Sequence, residues 1–177
     1  MNRAQTLMAR FDVAEYRLCR RINRGSDVRA LLPVMRVASR LGDGVAWYLL
    51  MALLPLLYGA RGGRAAIVMV VTGSAGLLLY KLLKRTLVRE RPFIRHPGIT
   101  LAMPPLDRYS FPSGHTLHAV SFTTQTVVLF PELGWVLVPL TTLIAASRVV
   151  LGLHYPTDVA AGAVLGFSLA AGALALV

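Results

Sequence analysis

The chain has 177 residues, 55% of them hydrophobic and 15% charged, and nineteen Lys and Arg against eight Asp and Glu give a formal charge of +11. A soluble domain carries about 25% charged residues and a disordered chain needs low hydrophobicity, so neither class fits. A mean hydropathy of +0.60 excludes the solvated basic domain that nucleic-acid binding requires, and leaves a single-domain membrane protein with its charges gathered outside the bilayer.

Residues 1–43 form a basic amphipathic region. Leu7, Phe11, Ala14, Leu18 and Ile22 recur at helical spacing, with Arg3, Arg10, Arg17 and Arg21 flanking them. That pattern suits a helix lying in the membrane interface, its arginines reaching lipid phosphates; a surface helix packed on a bundle fits the same residues. Gly25-Ser26-Asp27 reads as a stop followed by a new start. No uninterrupted apolar core precedes a small-residue cleavage site, so no signal peptide is expected. Cys19 is the single cysteine, which excludes an internal disulfide.

Residues 44–177 carry five nearly charge-free stretches, 44–60, 65–80, 116–130, 133–147 and 159–177. A spanning helix needs about 20 mostly apolar residues, with about 17 as a working minimum. The expected fold is therefore an all-α, polytopic membrane helix bundle of about five spanning helices behind the amphipathic N-terminal region. Small residues at Gly162 and Gly166 predict close helix–helix packing. The one long polar connection, about 81–111, is basic and rich in proline, and a connection of that length in a bundle tends to be functional.

Three places along this core point to anion chemistry. Lys84 and Arg91 are seven residues apart, two turns if the helix continues as far as Pro92, and two cations on one face suit phosphate oxygens. Pro112-Ser113-Gly114-His115 is turn chemistry leading into an apolar helix. Ser113 is placed to cap that helix, Gly114 admits close backbone approach, and His115 offers a proton-exchanging group at the mouth. Ser147-Arg148 then closes one apolar run, and His154-Tyr-Pro-Thr-Asp158 opens the next. An Asp158 carboxylate near His154 would fix the imidazole tautomer and free the other nitrogen to attack; a purely structural His–Asp pair has the same spacing.

Lys84-x6-Arg91-Pro92, Pro112-Ser113-Gly114-His115 and Ser147-Arg148-x5-His154-x3-Asp158 together resemble the three-part signature of the type 2 phosphatidic acid phosphatase (PAP2) superfamily. The resemblance runs from Lys84 to Asp158. It implies a lipid phosphatase of the bacterial cell membrane in which His154 is the nucleophile, Asp158 orients it, and His115 protonates the leaving oxygen. It also implies that Lys84, Arg91, Ser113, Gly114 and Arg148 hold the phosphoryl oxygens, with no cofactor and no metal. The expected substrate is a phosphorylated lipid, namely phosphatidate, phosphatidylglycerophosphate or undecaprenyl pyrophosphate, and membrane lipids are the other expected partners.

A phosphotransferase would use the same residues, and a transporter or binding protein would not need the His–Asp pair. A vanadium haloperoxidase reuses the constellation, but in soluble proteins. The facing of the site stays open at this level. Nine arginines precede Asp43 against Arg61 and Arg64 in the opposite loop, which points the motif side toward the cytoplasm; bacterial members of the resembled family usually act on the other leaflet.

Overall fold

The computed structural model describes residues 3–176, which are all-α with no strand among them. The helices are α1 (Arg3–Asn23), α2 (Leu31–Arg40), α3 (Ala46–Leu87), α4 (Pro92–Arg95), α5 (Gly114–Leu129), α6 (Gly134–Val150) and α7 (Pro156–Leu174). Three stretches are long and apolar enough to cross a membrane: Leu31–Arg95, Pro131–Val150 and Pro156–Leu174. Large apolar side chains such as Leu56, Leu57, Ile67, Leu78, Trp135 and Val136 are exposed along them. An apolar belt of that extent is a lipid-facing surface rather than a wetted one.

The first of the three stretches is not one rod. Gly59 sits at φ 55, ψ −135 inside α3, a conformation open to glycine and strained for other residues. The chain reverses there, so that a Cβ added at Gly62 would fall 1.9 Å from the Leu54 carbonyl oxygen. Residues eight apart on a straight helix are about 12 Å apart along the axis; here they touch. The two arms of α3 (46–58 and 60–87) therefore correspond to the first two expected apolar segments, and Trp47, Leu54, Ala65 and Met69 share one core cluster between them.

α5 is the central helix. It is 16 residues long, about 24 Å, and is surrounded by α3, α6 and α7. Its buried positions include Leu117, Ala119, Phe122 and the hydroxyl-bearing Ser121, Thr123 and Thr126. α7 lies closest to it, as the small-residue pair predicts: added Cβ atoms at Gly162 and Gly166 would meet the Ser113 and Leu117 carbonyl oxygens at 2.5 and 2.2 Å. In lipid, contact of this kind supplies the helix association that apolar burial alone does not.

The side of α1 turned to the core is not its apolar stripe. Ala14 and Leu18 are exposed and Ile22 is half-buried, while the face turned to the core is Glu15, Cys19 and Asn23. Arg3, Leu7 and Phe11 lie outside the described side chains. The reason is partner chemistry. Asn23 Nδ2 donates to the Thr100 and Val150 carbonyls at 3.0 and 2.9 Å, and its Oδ1 accepts the Thr100 N–H at 2.8 Å, so a polar stripe meets loop backbone that an apolar one would leave unbonded.

The two ends of the bundle are chemically distinct. At one end, Tyr58 donates to Glu132 at 2.5 Å, and Arg61 donates to the Leu129 carbonyl at 2.7 Å. All three motif segments lie at the other end.

Candidate active site

The helix carrying Lys84 does not continue to Arg91. α3 stops at Leu87 because Val88 takes a left-handed conformation at φ 38, and the chain then runs extended into α4, whose first residue is Pro92. The two cations nevertheless converge. Lys84 Nζ lies 2.7 Å from both carboxylate oxygens of Asp107, and Arg91 Nη2 lies 2.7 Å from Asp107 Oδ1. Burial alone would raise the Asp107 carboxyl, but these two cations outweigh it and hold it below the usual range.

Ser113 caps α5 as its sequence suggests, accepting the Thr116 N–H, which leaves the Gly114 N–H at the first helical position without an intrahelical partner. The Ser113 N–H itself donates to the Asp158 carbonyl at 3.0 Å, and the Ser110 N–H to the Arg89 carbonyl at 2.8 Å. Backbone bonds thus stitch the second motif to the third, and the segment just before it to the first. His115 Nε2 lies 2.5 Å from Asp43 Oδ1, and Asp43 sits on the π turn Leu41–Val45 between α2 and α3.

The third motif turns at Gly152, whose φ of 75 and close approach to the Thr100 carbonyl (2.4 Å from an added Cβ) admit no side chain. Backbone N–H groups of Leu153 and His154 both donate to the Arg148 carbonyl at 3.0 Å. Arg148 is buried and hydrogen-bonded to Ser39 Oγ, but its Nε has no partner among the described residues. An unsatisfied buried guanidinium donor suits an anion that is itself an acceptor.

His154 is buried on two sides of charge. Its Nε2 lies 3.3 Å from Arg91 Nη1, and its Nδ1 faces Asp158 Oδ2 at 3.6 Å. The second distance is longer than a hydrogen bond, so the carboxylate faces the imidazole without bonding it in this conformation. Asp158 is held by other partners: Oδ2 accepts the Tyr155 N–H at 2.8 Å, and Oδ1 accepts from Arg89 Nη1 at 2.6 Å. Burial, with Arg148, Arg91, Lys84 and His115 nearby, pushes the imidazole well below its ordinary value, so it is neutral and carries a free lone pair at neutral pH.

These groups open on one cavity of about 650 Å³. Lys84, Arg91, Gly114, His115, Arg148 and His154 line it, while Ser113 and Asp158 lie buried behind it. From there the cavity extends along α3, past Trp47, Tyr48, Met51, Met69, Val70 and Leu77. Every sequence-predicted site residue is therefore gathered at one end of the bundle. Sequence reasoning missed Asp43, Asp107, Arg89 and Glu15. A basic end facing an apolar wall can hold a phosphoryl group while a hydrocarbon chain runs between helices.

Comparison with known proteins matches residues 64–177 to the model of the PAP2 superfamily. A decaprenylphosphoryl-5-phosphoribose phosphatase of Mycobacterium tuberculosis is 33% identical over 146 residues, covering 82% of this chain and 80% of its own. An undecaprenyl-diphosphatase of Sulfolobus acidocaldarius is 31% identical over 143 residues, covering 80% and 68%. The crystal structure of LpxE from Aquifex aeolicus superposes with a TM-score of 0.77 at 25% identity, covering 90% of this chain and 93% of that one.

Proposed function

The chain belongs to the PAP2 superfamily and is a membrane-bound lipid phosphohydrolase, and from that premise we propose that it releases phosphate from a polyprenyl phosphate or diphosphate through a phosphohistidine on His154. The observation that carries the reading is the continuity of the cavity, from three buried cations and two histidines at one end to the apolar wall of α3 at the other. Exposed Lys81, Arg85 and Arg108 stand at its mouth. That second set of cations suits the second phosphate of a diphosphate. The curated relatives above are named for polyprenyl-linked substrates, which supports the same choice.

In the first half-reaction, His154 Nε2 attacks phosphorus and the P–O bond to the lipid-bearing oxygen breaks. His115 gives that oxygen its proton. Asp158 stabilises the positive charge left on the imidazole. Lys84, Arg91, Arg148 and the Gly114 N–H hold the equatorial oxygens as charge spreads over them, with Ser113 fixing the turn behind them. In the second half, His115 takes a proton from water, the hydroxide attacks phosphorus, the N–P bond breaks, and phosphate leaves. All of the charge this sequence needs comes from side chains and backbone, so the proposed chemistry uses no metal. Asp43, 2.5 Å from His115, is placed to hold the imidazole as it changes protonation. The protein is assigned as a multi-pass protein of the bacterial cell membrane.

The test is a phosphate-release panel in EDTA on the purified protein in detergent, spanning a polyprenyl diphosphate, phosphatidate, phosphatidylglycerophosphate and a soluble phosphoester. The expected result is the highest kcat/KM for the polyprenyl diphosphate. Loss of all lipid phosphatase activity without metal, or a preferred glycerolipid, overturns the reading.

A further inference from the structure

Asp158 is reached from behind by a closed ring of polar groups to which α1 contributes Glu15. Arg89 Nη1 donates to Asp158 Oδ1 at 2.6 Å and to Thr157 Oγ1 at 2.8 Å, and its Nη2 donates to Glu15 Oε2 at 2.5 Å. The other oxygen of Glu15 accepts the Thr157 N–H at 3.2 Å and the Thr157 hydroxyl. Glu15 is 6% exposed and the Asp158 side chain is fully buried. The Arg89 guanidinium also stacks over the Tyr155 ring, 4.0 Å from its centroid, so the ring is tied to the residue after the nucleophile.

We propose that Glu15 is a positioning residue of the hydrolysis: by pairing with Arg89, it leaves the charge of Asp158 free to support His154. The inference rests on His154 being the nucleophile. Asp158 faces an imidazole that becomes positive on attacking phosphorus, and its worth there depends on its net negative field. Arg89 by itself would cancel that field. Glu15 cancels Arg89 instead, so the Glu15–Arg89–Asp158 array keeps one net negative charge at the end facing His154. The geometry serves orientation as well. Arg89 holds Oδ1 and the Tyr155 N–H holds Oδ2, which fixes the carboxylate plane toward the imidazole. An N-terminal helix outside the three motifs thereby becomes part of the nucleophile's support.

Glu15→Gln keeps the shape of the side chain and removes its charge, leaving Arg89 unopposed on Asp158. The expected result, with undecaprenyl diphosphate in detergent micelles, is a kcat about tenfold lower with KM unchanged, the size of effect a nearby charge has on such a group. Glu15→Gln/Arg89→Gln removes both charges, keeps donors and acceptors, and is expected to recover at least threefold of that loss, because Asp158 is again unopposed. Asn23→Ala removes the other α1 clamp without touching the ring and is expected to leave kcat unchanged. A Glu15→Gln kcat equal to wild type overturns the inference. So does a double variant no faster than the single, or an Asn23→Ala loss as large as that of Glu15→Gln, since each shows α1 acting only as a structural clamp. If Glu15→Gln does not fold, the double variant set against Arg89→Gln alone decides: charge compensation predicts equal rates within about twofold, and a further large loss refutes it. Full activity of His154→Ala would instead break the underlying mechanism, whatever Glu15 does.

Discussion

Asp107 Oδ1 bridges Lys84 Nζ and Arg91 Nη2 at 2.7 Å each, so a carboxylate from the 96–113 connection occupies the two cations of the first motif. A carboxylate presents two oxygens much as a phosphoryl group does. Under the proposed function, phosphate and Asp107 compete for the same donors, and the 40% exposure of the Asp107 side chain leaves it open to displacement. Asp107→Asn is expected to tighten inhibition by inorganic phosphate by about fivefold, the equivalent of ~1 kcal/mol for a partly exposed pair. Measured Ki values decide the matter: weaker inhibition would make Asp107 an organiser of the cations and not their competitor.

The depressed His154 imidazole has a kinetic consequence. Burial and the surrounding cations disfavour its protonation, so the proposed nucleophile stays neutral as pH falls through 6.5, the ordinary histidine value. The acid limb of kcat/KM belonging to His154 is expected below that pH. Arg91→Gln removes a positive charge 3.3 Å from Nε2, which makes protonation easier and moves the limb to higher pH. A limb that moves downward, or stays put, contradicts the assignment of that charge.

Ser74 lines the apolar extension of the cavity and is exposed there. Ser74→Trp places an indole in the path of a hydrocarbon chain. Losing contact with about two methylenes costs ~1.5 kcal/mol, so KM for a polyprenyl diphosphate should rise about tenfold. Hydrolysis of a soluble phosphoester should not change. Equal losses on both substrates would mean that the tail runs elsewhere.

Gly166 is the tightest point between α5 and α7. An added methyl would sit 2.2 Å from the Leu117 carbonyl oxygen, whereas one at Gly172 would meet nothing within 4 Å. Gly166→Ala is expected to destabilise the protein by ~1–3 kcal/mol through forced backbone movement. Gly172→Ala should be neutral or slightly stabilising, since alanine favours helix. Thermal unfolding in detergent separates them; equal midpoints would show that the interface relaxes without cost.

The parts of this molecule that could be read from sequence are those with local spacing. Ser113 and Gly114 are turn residues before a helix, and Gly162 and Gly166 are one turn apart on one face. His154 and Asp158 straddle a proline start, so their proximity is set within five residues. What escaped is set by tertiary folding. Asp43 meets His115 across 72 residues, and Glu15 meets Arg89 across 74, with no periodic pattern to announce either pair. The α3 hairpin was legible as two apolar segments, 44–60 and 65–80, parted by Arg61 and Arg64; the left-handed Gly59 that reverses the chain between them was not. Lys84 and Arg91 converge as expected, but through a left-handed break at Val88 and not through a continued helix. In α1 the legible side was the apolar one, of which Ala14 and Leu18 are exposed; the opposite side, where Glu15, Cys19 and Asn23 face the core to bond loop backbone and buried charge, carries no pattern that announces it.

The central claim is the covalent intermediate, and it can be observed directly. Purified protein in EDTA is mixed with terminally 32P-labelled undecaprenyl diphosphate, denatured at alkaline pH within the first turnover, and digested. The account predicts acid-labile label on the peptide containing His154 in the wild-type protein and none in His154→Ala. Turnover with no labelled protein, or label that persists when His154 is alanine, would contradict it.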